Sequence, residues 1–82
     1  MICIYEIAVR AVCAVDGARD VYILTLESHD PIRVETIVQM ADRLTAHPVL
    51  QEDMTRDFAR NLGCTVTSVG YHSGVRTTVV CP

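Results

Sequence analysis

Few residues in this chain combine the types that run acid–base or nucleophilic chemistry. The run Ser28-His29-Asp30 carries the letters of a catalytic triad. A triad needs three side chains converging from separate positions, which consecutive residues do not supply. His72-Ser73 falls where a hairpin turn is expected, and an exposed tip is poor ground for a preorganised nucleophile. His29, His47 and His72 fall at a helix start, a helix end and that turn, with no carboxylate repeated beside them along one helix. Cys3, Cys13, Cys64 and Cys81 form no CxxC pair and stand at no zinc-finger spacing from a histidine. They read as small buried hydrophobes. There is no GxxxxGK, GxGxxG, HExxH or GxSxG. No catalytic residue, metal site or cofactor site is expected, and the chain reads as a non-enzymatic protein.

The remaining polar candidates lie on two expected helices. Glu35, Asp42, Glu52, Asp53 and Asp57 fall on their polar sides, interspersed with Arg33, Arg43, Arg56 and Arg60. Glu52 can meet Arg56 at i+4 and Asp57 can meet Arg60 at i+3. Such a surface is either solvated and self-compensating or a net-acidic face for a basic partner, whose encounter complementary charge would assist. The five carboxylates are therefore the candidate partner-binding residues. Tyr5, Tyr22 and Tyr71 are strand aromatics of a kind that can stack bases on an open sheet. The basic-aromatic pattern of RNA-recognition folds is absent, and Tyr5 and Tyr22 fall on apolar faces, so they read as core.

The elements that carry these residues follow from periodicity. Ile2 to Val15 alternates with period two, apolar at odd positions, as a strand does. Asp16-Gly17 is a hairpin signal. Val21 to Glu27 forms the second strand, with Tyr22, Leu24 and Leu26 on its better apolar face. A two-residue loop sets Val9 opposite Leu24 and Glu6 opposite Glu27, a like-charge pair. A four-residue loop keeps the face parity and relieves that clash. Asp30 and Pro31 suit the N-cap and first position of a helix, along which Val34, Ile37, Val38, Ala41 and Leu44 recur before Pro48 ends it. A second helix carries Leu50, Met54, Phe58 and Leu62 in one stripe and ends at Gly63. One long kinked helix is the alternative. Cys64–Tyr71 and Val75–Cys81 form a second hairpin about His72-Ser73-Gly74, with a bulge expected near Ser68, where the apolar phase slips. The order is β-β-α-α-β-β. This is an α+β fold in one domain, residues 1–82: a four-stranded, mostly antiparallel sheet with two helices packed on one face. The core expected is Ile7, Val9, Leu24, Leu26, Val34, Ile37, Val38, Ala41, Leu44, Met54, Phe58 and Leu62.

Bulk properties narrow the function. The chain has 82 residues, half of them hydrophobic, and a net charge of −3. Every one of its seven basic residues is Arg, which suggests a high-GC source genome. A general nucleic-acid binder shows a basic patch and high pI, so direct nucleic-acid binding is not expected. No apolar run reaches the roughly 20 residues that span a bilayer, and the N-terminus lacks a basic n-region. A cytoplasmic protein without a membrane partner is expected. If odd positions of the first strand face the helices, Ile2, Ile4, Ala8, Val12 and Ala14 join Val21 and Ile23 on the other face. An open antiparallel sheet is more polar on its wet side. A homodimer through the sheet, or a larger partner, would cover these residues.

In size, acidity and α+β layout the whole chain resembles a phage-encoded anti-CRISPR protein. The resemblance implies an inhibitory protein–protein interaction module of the host cytoplasm. It would bind a host protein complex, a CRISPR effector, and block target DNA binding, with the acidic helix residues as contacts. The alternative is a homodimeric regulatory domain that binds a small molecule. A small enzyme with a site shared across a dimer stands third.

Overall fold

Alternating side chains and one tight turn build the first half of the sheet. In the computed structural model, which describes residues 1–82, β1 (Cys3–Val12) pairs antiparallel with β2 (Arg19–Ser28). The four-residue loop is the one formed. The Cys13 N–H donates to the Ala18 carbonyl at 2.8 Å, and the Gly17 N–H to the Cys13 carbonyl at 3.0 Å. Val9 therefore faces Tyr22 rather than Leu24, and Glu6 faces Thr25 rather than Glu27. The strand stops at Val12, short of the expected Val15, because the chain beyond it is taken up elsewhere. Cys13 bridges to Val49, and the Val49 N–H donates to the Val12 carbonyl at 2.9 Å.

After β2 come α1 (Val34–Leu44) and α2 (Gln51–Leu62), then β3 (Thr65–His72) and β4 (Val75–Cys81). The sheet is antiparallel throughout in the order β1-β2-β3-β4. Its helix-facing rows read Tyr5-Leu26-Val66-Cys81, Ile7-Leu24-Ser68-Val79 and Val9-Tyr22-Gly70-Thr77. Ile37 and Ala41 of α1 and Met54, Phe58 and Ala59 of α2 close over them. Phe58, Leu24, Leu26, Met54 and Val66 are fully buried. No helix is long and apolar enough to cross a membrane.

Several local expectations give way. Asp30 and Pro31 do not start α1. Arg33 occupies the N-cap position without a side-chain cap. The intervening residues cross from sheet to helix, and the Ile32 N–H is held by the Tyr5 hydroxyl at 2.8 Å. α1 buries only Ile37 and Ala41, and Val34 and Val38 stay exposed and leave the core. Ile7, Leu44 and Leu62 are half-buried and packed against it. The helices are separate, and α2 ends at Gly63, whose φ of 62° is the left-handed conformation glycine accepts readily.

There is no bulge at Ser68. Its neighbours pair in unbroken register on both sides, and the apolar pattern slips because the core face of β3 carries Ser68 and Gly70. His72 is not a turn residue. It ends β3 opposite Val75, and Ser73 and Gly74, both at positive φ, form the two-residue turn.

Phe58→Ala removes the largest fully buried side chain and should lower unfolding free energy by about 3–5 kcal/mol. Urea denaturation checks this, and an unchanged midpoint would contradict the packing described.

Candidate functional site

Strand parity gathers one polar cluster at the loop end of the sheet. Asp20 sits opposite Ala11 and, two residues beyond the last β2–β3 pair, is level with His72. Cys13 continues the inward face of β1. The coordinating atoms of Cys13, Asp20 and His72 lie within 4.8 Å of one another. His72 Nδ1 is 3.3 Å from Asp20 Oδ2, and its Nε2 is 3.1 Å from Asp16 Oδ2. Only the doubly protonated imidazole donates to both carboxylates at once. Asp20 is buried, and besides His72 it accepts from the Tyr22 hydroxyl at 3.2 Å.

Tyr22 is fixed from below. A Cβ on Gly70 would come within 2.3 Å of its ring, so the ring lies against a backbone position that tolerates no side chain. Burial first, then the Asp20 charge and hydrogen bond, push the Tyr22 hydroxyl up to about 12. Asp16 sits in the loop, where the Ala18 N–H, at 2.9 Å, and then the Cys13 thiol donate to its carboxylate. These bonds, with a smaller attraction to His72, hold its carboxyl below the usual range.

A second polar group brings α2 to the same end. The Gln51 side-chain amide donates to Ser68 Oγ and to the Thr77 carbonyl, each at 3.1 Å. Thr55 Oγ1 donates to the Gln51 carbonyl and meets Ser68 Oγ, both at 2.6 Å. No buried side-chain polar atom is left without a partner. The first turn of α2 is thereby pinned beside the cluster, and a cleft of about 240 Å³ opens between them, lined by Cys13, Val15, Tyr22, Leu50, Gln51, Glu52, His72 and Thr77.

The arrangement is suited to two kinds of chemistry. A thiol beside an imidazole that is itself oriented by a carboxylate is the pattern of an activated sulfur nucleophile. The same three groups are also ligands for a soft divalent cation.

Of the five acidic residues expected to bind a partner, Glu52 alone lines this cleft. Glu35 and Asp42 are exposed on α1. Asp53 and Asp57 flank Arg56, at 2.8 Å and 3.8 Å. Arg56 thus pairs with Asp53 in place of Glu52, and Arg60 makes no ion pair with Asp57. Sequence reasoning did not group Cys13, Asp20 and His72. A signal was present, since Cys13 and Asp20 flank the expected turn with inward parity on adjacent strands. All four cysteines are free thiols.

The Tyr22 shift has a consequence for stability. The folded hydroxyl ionises near 12 against an ordinary 10.0. The unfolded chain therefore releases this proton first, and stability falls as pH rises from about 10 through about 12. Tyr22→Phe should flatten that decline, measured as the denaturation midpoint across the alkaline range. A decline equally steep in the variant would show that another group causes it.

No protein-family model matches the sequence, and no curated protein matches it. Among solved structures, the fold is similar to the crystal structure of an archaeosine synthase QueF-Like in the apo form. The TM-score is 0.88, with 19% sequence identity over 98% of this chain and 90% of that one. At this identity the likeness is one of fold.

Proposed function

We propose that this chain is a thiol-dependent enzyme acting on a small heterocyclic base or nucleoside, in the manner that the name archaeosine synthase suggests for the protein of similar fold. The observation that carries the reading is the convergence of Cys13, His72 and Asp20 on one point, beside a cleft that Cys13, His72 and Glu52 line. In this reading the Cys13 sulfur bonds to an electrophilic unsaturated carbon of the base as the π bond of that carbon opens, and His72, in its singly protonated form, passes the thiol proton to the atom that receives the π electrons. A second nucleophile, an amine or water, then adds at the same carbon, the C–S bond breaks, and the proton the nucleophile loses returns to the departing Cys13 sulfur. Asp20, held by Tyr22, fixes the imidazole ring. A carboxylate accepts hydrogen bonds and donates none, so Glu52 suits the paired N–H donors of a guanine-type edge. The cleft is small enough to favour a single ring system over a long polymer segment. A cytoplasmic setting, which keeps thiols reduced, belongs to the same reading.

A second reading is favoured by a different observation. The outer face of the sheet leaves Ile2, Ile4, Val21, Ile23, Tyr71 and Val80 exposed, which suits a protein-binding module. The inhibitor of anti-CRISPR type is one such module and a homodimer is another. Stoichiometric capture of CRISPR effector subunits by the tagged chain would favour the inhibitor over the enzyme.

The enzyme reading is tested by expressing the chain in bacterial hosts, digesting total RNA and DNA to nucleosides, and comparing them by mass spectrometry with an empty-vector control. A new nucleoside mass is expected with the native chain and none with Cys13→Ala. In the reconstituted reaction His72→Ala should lower the rate about 10²–10⁴-fold, and Glu52→Gln should raise KM with a smaller change in kcat. Identical nucleosides with and without the chain, or full activity in Cys13→Ala, would overturn the reading.

A further inference from the structure

The cluster at the loop end of the sheet has features that a nucleophile and its base do not require. Two carboxylates, Asp16 and Asp20, face the two nitrogens of one imidazole. Neither is paired with an arginine, since every short arginine–carboxylate contact in the molecule involves Arg56. Asp20 is nonetheless buried, and a buried carboxylate is costly without a cation close to it, a charge that either the His72 imidazolium or a bound ion at the same point supplies. The thiol of Cys13 completes a set of soft and hard donors around one point.

We propose that Cys13 Sγ, Asp20 and His72 Nδ1 form a three-ligand site for a thiophilic divalent cation such as Zn²⁺, with a fourth position open toward the cleft. Bonds of about 2.0–2.3 Å in a tetrahedral arrangement set ligand atoms about 3.3–3.8 Å apart. His72 Nδ1 and Asp20 Oδ2 already stand at 3.3 Å. With Nδ1 on the metal, the Nε2–H points at Asp16 Oδ2, 3.1 Å away. A carboxylate behind a ligating histidine fixes its tautomer and ring plane, and this outer contact is a regular companion of histidine–metal bonds. The Tyr22 hydroxyl orients Asp20 in the same way. The cleft supplies the entry path, as Cys13 and His72 both line it and both are half-buried. Metal binding stands on this geometry alone. Its consequence for activity rests on the enzyme reading above: a cation on Cys13 Sγ occupies the lone pair that would attack substrate, so the site is switched off when metal is bound.

The probe is Co²⁺ titrated into the full reduced chain without oxygen, followed by Zn²⁺ displacement. One equivalent should saturate a near-ultraviolet thiolate-to-cobalt band together with the intense visible bands of four-coordinate cobalt. The thiolate band should vanish in Cys13→Ser and persist in Cys3→Ser. His72→Gln and Asp20→Asn, each checked for folding by circular dichroism, should weaken Co²⁺ binding tenfold or more. Asp16→Asn should weaken it about 10–100-fold. Zn²⁺ should also slow alkylation of Cys13 by iodoacetamide, read by peptide mass spectrometry, and leave the Cys3 rate unchanged. Absence of a thiolate band, its survival in Cys13→Ser, or alkylation of Cys13 indifferent to Zn²⁺ would overturn the proposal. The two readings fail separately. A cobalt band without any new nucleoside leaves the metal site standing and removes the enzyme, and the converse result removes the metal site alone.

Discussion

The site depends on a register, and the register depends on the turn that joins β1 to β2. The two hydrogen bonds that close the Ala14–Gly17 loop, from the Cys13 N–H to the Ala18 carbonyl and from the Gly17 N–H to the Cys13 carbonyl, fix which residues of the two strands share a face. A sheet alternates its side chains with a period of two, so a slip of one residue turns every side chain of a strand to the opposite side. Such a slip in β2 would expose Tyr22, Leu24 and Leu26 and bury Val21, Ile23 and Thr25. It would also carry Asp20 away from Cys13. The hydrophobic core and the polar cluster are thus enforced by the same alternation, and neither can be moved independently.

Within that frame, polar groups do the positioning that apolar packing cannot. Gln51, Thr55 and Ser68 lie in the interior with their hydrogen-bonding capacity used on one another and on the edge-strand carbonyl of Thr77. Apolar contacts are non-directional and would let α2 slide along its axis. A satisfied buried network gives it one position. That position sets Leu50 and Glu52 at the cleft. Tyr22 acts similarly on the sheet side, wedged over Gly70 and tied to Asp20. The exposed Arg56–Asp53 pair is of a kind worth little to stability.

The architecture was legible because it rests on periodicity. Alternation in β1, the stripe from Met54 through Phe58 to Leu62, and glycines at the turns each point to one element, and the elements point to one layer arrangement. The two misplaced helix residues, Val34 and Val38, have the right spacing but lie beyond the line along which α1 touches the sheet, and sequence spacing does not reveal where that line falls. Ser68 misled for a related reason. A polar residue on a core face looks like a break in phase until its partners from α2 are known. The cluster was harder to see because its members are far apart in the chain. Cys13 and Asp20 were within reach of a parity argument. His72 was not, because assigning it to the turn removed it from the face on which it belongs.

This separation along the chain has a kinetic side. Cys13 and Asp20 belong to a hairpin closed by a short local loop, whereas His72 lies 52 residues beyond Asp20 and arrives only with β3. Loop-closure entropy rises with the length of chain to be closed, and non-local strand pairing is correspondingly slow. The hairpin can form while the helices are still being sorted. Pairing of β3 against β2 must wait until the helical segment between them has compacted. A chain emerging from synthesis thus holds its thiol and its acid together before its imidazole reaches them, and the complete cluster is a mark of a finished fold.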